Sequence, residues 1–165
     1  MGFLDRLRGT KYPEDGVSPL PAQELRAALL ALNGTGVPFR IRQAFGAEKA
    51  DLVAEWQVVV PYSGDMLSAK NVERTMKARM RFAPVRREVH VLDEVREVAL
   101  VGNPPRRGLS RQWSRGPSVQ RQWTYERGPD GRRHKVVLFD SRDMRDPLRN
   151  TVLGAGWIWR GVFRL

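Results

Sequence analysis

Residues 76–93 read MKARMRFAPVRREVHVLD, and the period of two in this stretch decides the fold. Met76, Ala78, Met80 and Phe82 alternate with Lys77, Arg79 and Arg81, so an extended chain here is apolar on one side and basic on the other. Pro84 closes the run, because proline cannot donate to a sheet ladder. Val89 and Val91 carry a second strand within REVHVLD, and EVREVALVG at 94–102 is read as a further short one. Strands that turn and alternate again so quickly are antiparallel neighbours with one face on a core.

Toward the N-terminus, residues 21–32 predict a helix. Pro21 suits its first turn, Leu25, Ala28, Leu29 and Leu32 recur on one face, and Asn33-Gly34 is read as its left-handed stop. Val37, Phe39 and Ile41 alternate with Arg40 and Arg42, and beyond the turn-like GAEK come Leu52, Ala54, Trp56 and Val58, which predicts a β-hairpin. Residues 1–20 read as an adjunct: an amphipathic turn carrying Phe3, Leu4 and Leu7, then an extended connector rich in proline. Residues 21–165 read as a single domain.

Toward the C-terminus, GNPPRRGLSRQWSRGPS at 102–118 has no sustained period and reads as a long loop or a short edge excursion. Residues 119–127 and 132–139 predict a hairpin around Pro129-Asp130-Gly131, a turn with a mechanism. Asp146 is expected to cap a helix beginning at Pro147, with Leu148, Val152 and Ala155 on its apolar face and Gly154 or Gly156 as its stop. A last strand, WIWRGVFRL, is expected to run through the sheet to the C-terminus, with Trp157 and Trp159 on one face opposite Ile158. The pattern is an α+β domain: an antiparallel sheet of about six strands with two main helices packed on one face.

Composition bounds the function. Over 165 residues, 41% are hydrophobic and 28% charged, which fits a globular chain, and the absence of cysteine excludes disulfides and thiolate chemistry. No apolar run approaches the ~20 residues of a membrane span, and MGFLDRLRGT lacks the features of a signal peptide, so a cytoplasmic protein without a transmembrane segment is expected. The balance of 29 Lys and Arg against 18 Asp and Glu gives +11, a field that attracts polyanions and is also the ordinary mark of a solvated arginine-rich surface.

Catalytic motifs are missing: the chain has no GxSxG, no GxxxxGK[ST] and no GxGxxG. His90 and His134 lie in separate strands outside any metal-ligand spacing, Asp140, Asp143 and Asp146 suit caps and turns, and Asp51 and Glu55 are not placed as an acid pair. No catalytic residue, cofactor or metal site is assigned. The expected function is a non-catalytic binding or scaffold module, its partner a protein or an anionic ligand. The alternatives are a weak anion or nucleic-acid binder and an enzyme of unrecognised type. The candidate anion-binding residues are Lys77, Arg79 and Arg81 on the third strand, with Arg111 and Arg121 beside Trp113 and Trp123 in two RQW segments. No nucleic-acid motif supports that alternative, and cross-strand carboxylates such as Glu88 would neutralise the basic face.

The opening GFLDRLRGT, LVAEW around Trp56 and AGWIWRG around Trp157 and Trp159 are the markers of an end-to-end likeness. On them the chain resembles a family of uncharacterised actinobacterial proteins. The resemblance implies a folded protein of the bacterial cytoplasm and brings with it no activity, cofactor or catalytic residue. GNPPRRGLSRQWSRGPS is more arginine-rich than the resemblance implies.

Overall fold

A computed structural model describes residues 9–61, 69–101, 104, 106–115 and 120–165. Met76 to Phe82 lie in strand β3 (Ala69–Ala83), which turns over Pro84–Arg86 into strand β4 (Glu88–Val101). Arg87 takes a left-handed φ of 52° to complete the turn. The two strands pair antiparallel along nearly their whole length, with Met80 opposite Val91 and Met76 opposite Val95. On the other side of β3 runs β2 (Leu52–Pro61), and outside it β1 (Arg40–Gln43), both antiparallel.

Residues 94–102 are not a separate strand: β4 is continuous. The sequence suggests a break because Leu92 and Asp93 invert the alternation, with an acid on the apolar face. Asp93 is tolerated there because Arg145 ion-pairs with it, and Leu92, only 2% exposed, is the register partner of the long-stemmed Arg79. Residues 106–115, within the stretch read as a long loop or a short edge excursion, form β5 (Arg106–Arg115), antiparallel to the second half of β4 at the end of the strand order. The first half of that same edge is taken by β8 (Ile158–Gly161), which runs parallel to β4.

The fold is α+β, with a curled sheet of six strands, mostly antiparallel. The predicted hairpin exists as β6 (Arg121–Arg127) and β7 (Arg133–Asp140), but the two form a sheet of their own. Phe139 ties this hairpin to the core, its ring 4.9 Å from that of Trp56.

Helix α1 (Ala22–Ala31) buries Leu25 and Leu29 as its period dictates. Its left-handed residue is Gly36, with φ 75°, rather than Asn33 or Gly34. Asn33 instead donates through Nδ2 to the carbonyl of Ile41 (2.9 Å) and accepts from its amide (2.8 Å), joining the helix exit to β1. Helix α2 (Arg142–Gly154) begins before Pro147, which lies inside it. The acid at its start is Asp140, which accepts from the amide of Arg142 (3.0 Å). Met144, Leu148 and Val152 form its buried face and share one cluster with Leu25, Leu29 and the apolar residues of β2, β3 and β4.

Helix α2 stops at Gly156, with φ 72°. The amide of Trp157 bonds the carbonyl of Val152 and that of Gly156 bonds Leu153, a paired closure of the last turn. Trp157 and Trp159 are buried as expected, but β8 is short and does not reach the C-terminus, and among the described residues its strand partner is β4. Its free side is met by the proline-rich connector, where Lys11 bridges Trp159. Leu20 then accepts from the Trp157 indole at 2.8 Å. The predicted turn over residues 1–8 lies outside the described residues. Among the described residues no helix is long and apolar enough to cross a membrane.

Candidate functional site

Alternation along β2, β3 and β4 leaves a second, charged sheet face, and register sorts it into rows. One row runs Arg40, Glu55, Lys77, Glu94, Arg115 across β1 to β5, alternating in sign at each strand. The next holds Gln57, Thr75, Arg96 and Trp113. Beside the first, on its other side, lie Arg42, Val53, Arg79 and Leu92. Val53 and Leu92 are buried between the arginines, so this face has its own apolar floor under charged side chains.

Most of the charge is paired. Arg42 donates to Glu48 at 2.7 and 2.8 Å and to Glu55 at 2.8 Å, and Lys77 reaches Glu55 at 2.6 Å. Arg79 pairs with Glu94 and donates to the carbonyl of Glu48 at 3.0 Å. Glu73 accepts from Gln57 at 2.6 Å and from Arg107 at 3.0 Å. The hydrogen bonds from Arg42 hold the Glu48 carboxyl down at about 2, against the partial burial that would raise it. Burial pushes Glu55 up, but the bonds from Arg42 and Lys77 outweigh it and leave this carboxyl below its ordinary value. Arg42 is correspondingly raised by Glu48 and Glu55 and stays charged throughout.

The curl of the sheet turns this face into a groove of about 430 Å³, in the range of small-ligand sites. Its cations are Arg40, Lys77, Arg96 and Arg107, and its acids are Glu55 and Glu73. A smaller hollow of about 170 Å³ adjoins it, lined by Thr75, Lys77, Glu94 and Arg96. Lys77 and Arg107 are committed to Glu55 and Glu73, whereas Arg40 and Arg96 are exposed and make no ion pair among the described residues. The groove therefore keeps two guanidinium groups available to an incoming anion.

Of the residues singled out in the sequence, Lys77, Arg79 and Arg81 share the charged face of β3. The carboxylates opposite the first two are Glu55 and Glu94; Glu88 instead holds His90 (2.8 Å) and Arg160 (3.0 Å). Arg81 is exposed, with His90 as its register partner. Arg111 stands on β5 opposite Val98, within the same sheet. Arg121 is elsewhere, in the β6–β7 sheet, paired with Asp140 at 2.8 Å. The side chains of Arg111, Trp113, Trp123, Tyr125 and His134 lie outside the description.

Among the acids, Asp51 closes the end of the sheet by accepting from the amide of Phe82 (2.8 Å), and Asp93 serves Arg145. Asp143 is raised above its ordinary value by burial and by the neighbouring Asp140 and Asp146. The groove residues missed from sequence are Arg40, Arg96 and Arg107. Arg40 was legible as the outward residue of the first hairpin, but the other two belong to a strand read as interrupted and to a stretch read as a long loop or a short edge excursion.

Comparison with protein-family models, with curated proteins and with solved structures found no match.

Proposed function

We propose that this chain is a non-catalytic binding module of the bacterial cytoplasm, akin to the actinobacterial family it resembles, which holds an anionic ligand in the groove of its charged sheet face. The reading takes both helices to lie on the other face, leaving this one open. Supporting that, the groove-lining residues are absent from the buried cluster that contains the apolar sides of α1 and α2. The observation that carries the proposal is the pair of exposed guanidiniums, Arg40 and Arg96, in a groove whose other cations are already matched by acids. Paired groups fix the walls and give little net attraction; the surplus cations supply the charge that a ligand would neutralise.

Calorimetric titration with inorganic pyrophosphate at low salt tests this. Saturable binding is expected, weakened several-fold by Arg40→Ala or Arg96→Ala and unchanged by Arg132→Ala at the exposed turn between β6 and β7. No heat of binding, or equal loss in all three variants, rejects the groove as an anion site.

A further inference from the structure

Resting on that reading, we infer that the anion is a carboxylate carried by an extended peptide, which adds as a strand to an open stretch of the β2 edge. β1 covers β2 only over residues 52–55. β2 runs on to Pro61, and among the described residues no strand pairs with residues 56–61 on that side. The direction of the free groups follows from β1. Asn33 takes the outward amide and carbonyl of Ile41, so those of Arg40 and Arg42 turn inward onto Glu55 and Val53. The period of two then turns the amides and carbonyls of Gln57 and Val59 to that same side, beyond the end of β1.

Two features mark this edge as a docking strand. Sheet edges are ordinarily blunted by charge or by a group that covers them, as Asn33 covers Ile41. Residues 56–60, WQVVV, carry no charge, and Val59 is 55% exposed. The open edge also borders the groove, which Gln57 and Arg40 both line.

The free backbone selects the ligand. Alternating N–H and C=O groups at strand spacing are matched by another polypeptide backbone, which neither a phosphate nor a sugar offers. Antiparallel pairing in line with β1 puts the residues opposite Gln57 and Val59 on the charged face. The residue between them falls on the other face, beside the partly buried Trp56 and Val58. The position opposite Gln57 stands two residues, or ~6.8 Å, from Arg40 along the line of β1. Arg40 is exposed and makes no ion pair among the described residues, so an acid at that position supplies its counter-charge. The ligand therefore alternates acidic and apolar residues. A second copy of the chain fits less well. Pairing β2 with itself about Val58 matches Gln57 with Val59 but carries Pro61 to the place opposite Glu55, which Arg40 holds, and it joins two chains of +11.

The test is anisotropy of a short labelled peptide of alternating glutamate and valine with the full chain at low salt. Saturable binding is expected, weakened several-fold by Arg40→Ala or by glutamine in place of the glutamates. N-methylation of the glutamate amides, which face β2 in this register, should abolish binding, and N-methylation of the valine amides should leave it. Val59→Pro removes an outward donor and keeps the inward ladder, and should weaken binding roughly tenfold. Melting shows whether that variant is folded, and the methylated peptides probe the same bonds with the unaltered chain. Binding indifferent to methylation of the glutamate amides overturns the strand pairing, and equal binding of the glutamine peptide overturns the acidic partner. A dimer in sedimentation that excludes the peptide means that a second copy holds the edge, and overturns the inference. Pyrophosphate binding without peptide binding overturns the peptide and leaves the anion groove standing. No binding of either overturns the inference and the anion reading together.

Discussion

Arg42 shows how single residues shape the charged face. It accommodates two carboxylates at once, and its bonds keep Glu48 ionised down to about 2. A carboxyl depressed in the folded state contributes stability that is complete above its ordinary 4.5 and is lost as pH falls toward about 2. Glu48→Gln should therefore melt below the parent at neutral pH, and the gap should close across that acidic window. A gap that persists unchanged there would mean that the Glu48 charge is not what stabilises this corner. The basic side of β3 was legible because alternation alone places Lys77, Arg79 and Arg81 together. Their partners were not, since Glu55 and Glu94 meet them only through strand register, which no local pattern specifies.

At the scale of elements, the elbow between α2 and β8 couples the two ends of the chain. A Cβ on Gly156 would lie 2.7 Å from the Cα of Pro19, backbone that cannot swing aside, and φ is already left-handed at 72°. Gly156→Ala should cost more than the ~1–2 kcal/mol of a left-handed residue alone. Trp157→Ala, which empties a site only 2% exposed and removes the indole bond to Leu20, should cost ~3–5 kcal/mol. Denaturant unfolding measures both, and a parent-like Gly156→Ala would show that the connector does not pack against the elbow in solution. Element type was readable wherever one period dominated, as in α1, β2 and β3. It failed where tertiary partners override the period: Asp93 inside the sheet, satisfied by a helix, and Pro147 within a helix whose buried face holds it in place. The parallel docking of β8 beside β5 on one edge of β4 is a long-range choice that its own residues do not encode.

For the molecule as a whole, the formal charge of +11 is too diffuse to name a ligand; its arrangement carries more information. The sheet puts most of its apolar side chains into the shared core and gathers on the other face a network in which acids and bases alternate, with Arg40 and Arg96 making no ion pair among the described residues at the groove. The groove was only partly foreseeable, because it is assembled from five strands, one of which reads in sequence as a long loop or a short edge excursion with no register of its own. The most direct measurement is backbone amide chemical-shift mapping during a pyrophosphate titration. The account predicts saturable shifts concentrated at the groove, at Arg40, Gln57, Thr75, Lys77, Arg96 and Arg107, with the β6–β7 hairpin unmoved. Shifts spread evenly over every exposed arginine, or centred on that hairpin, would contradict it.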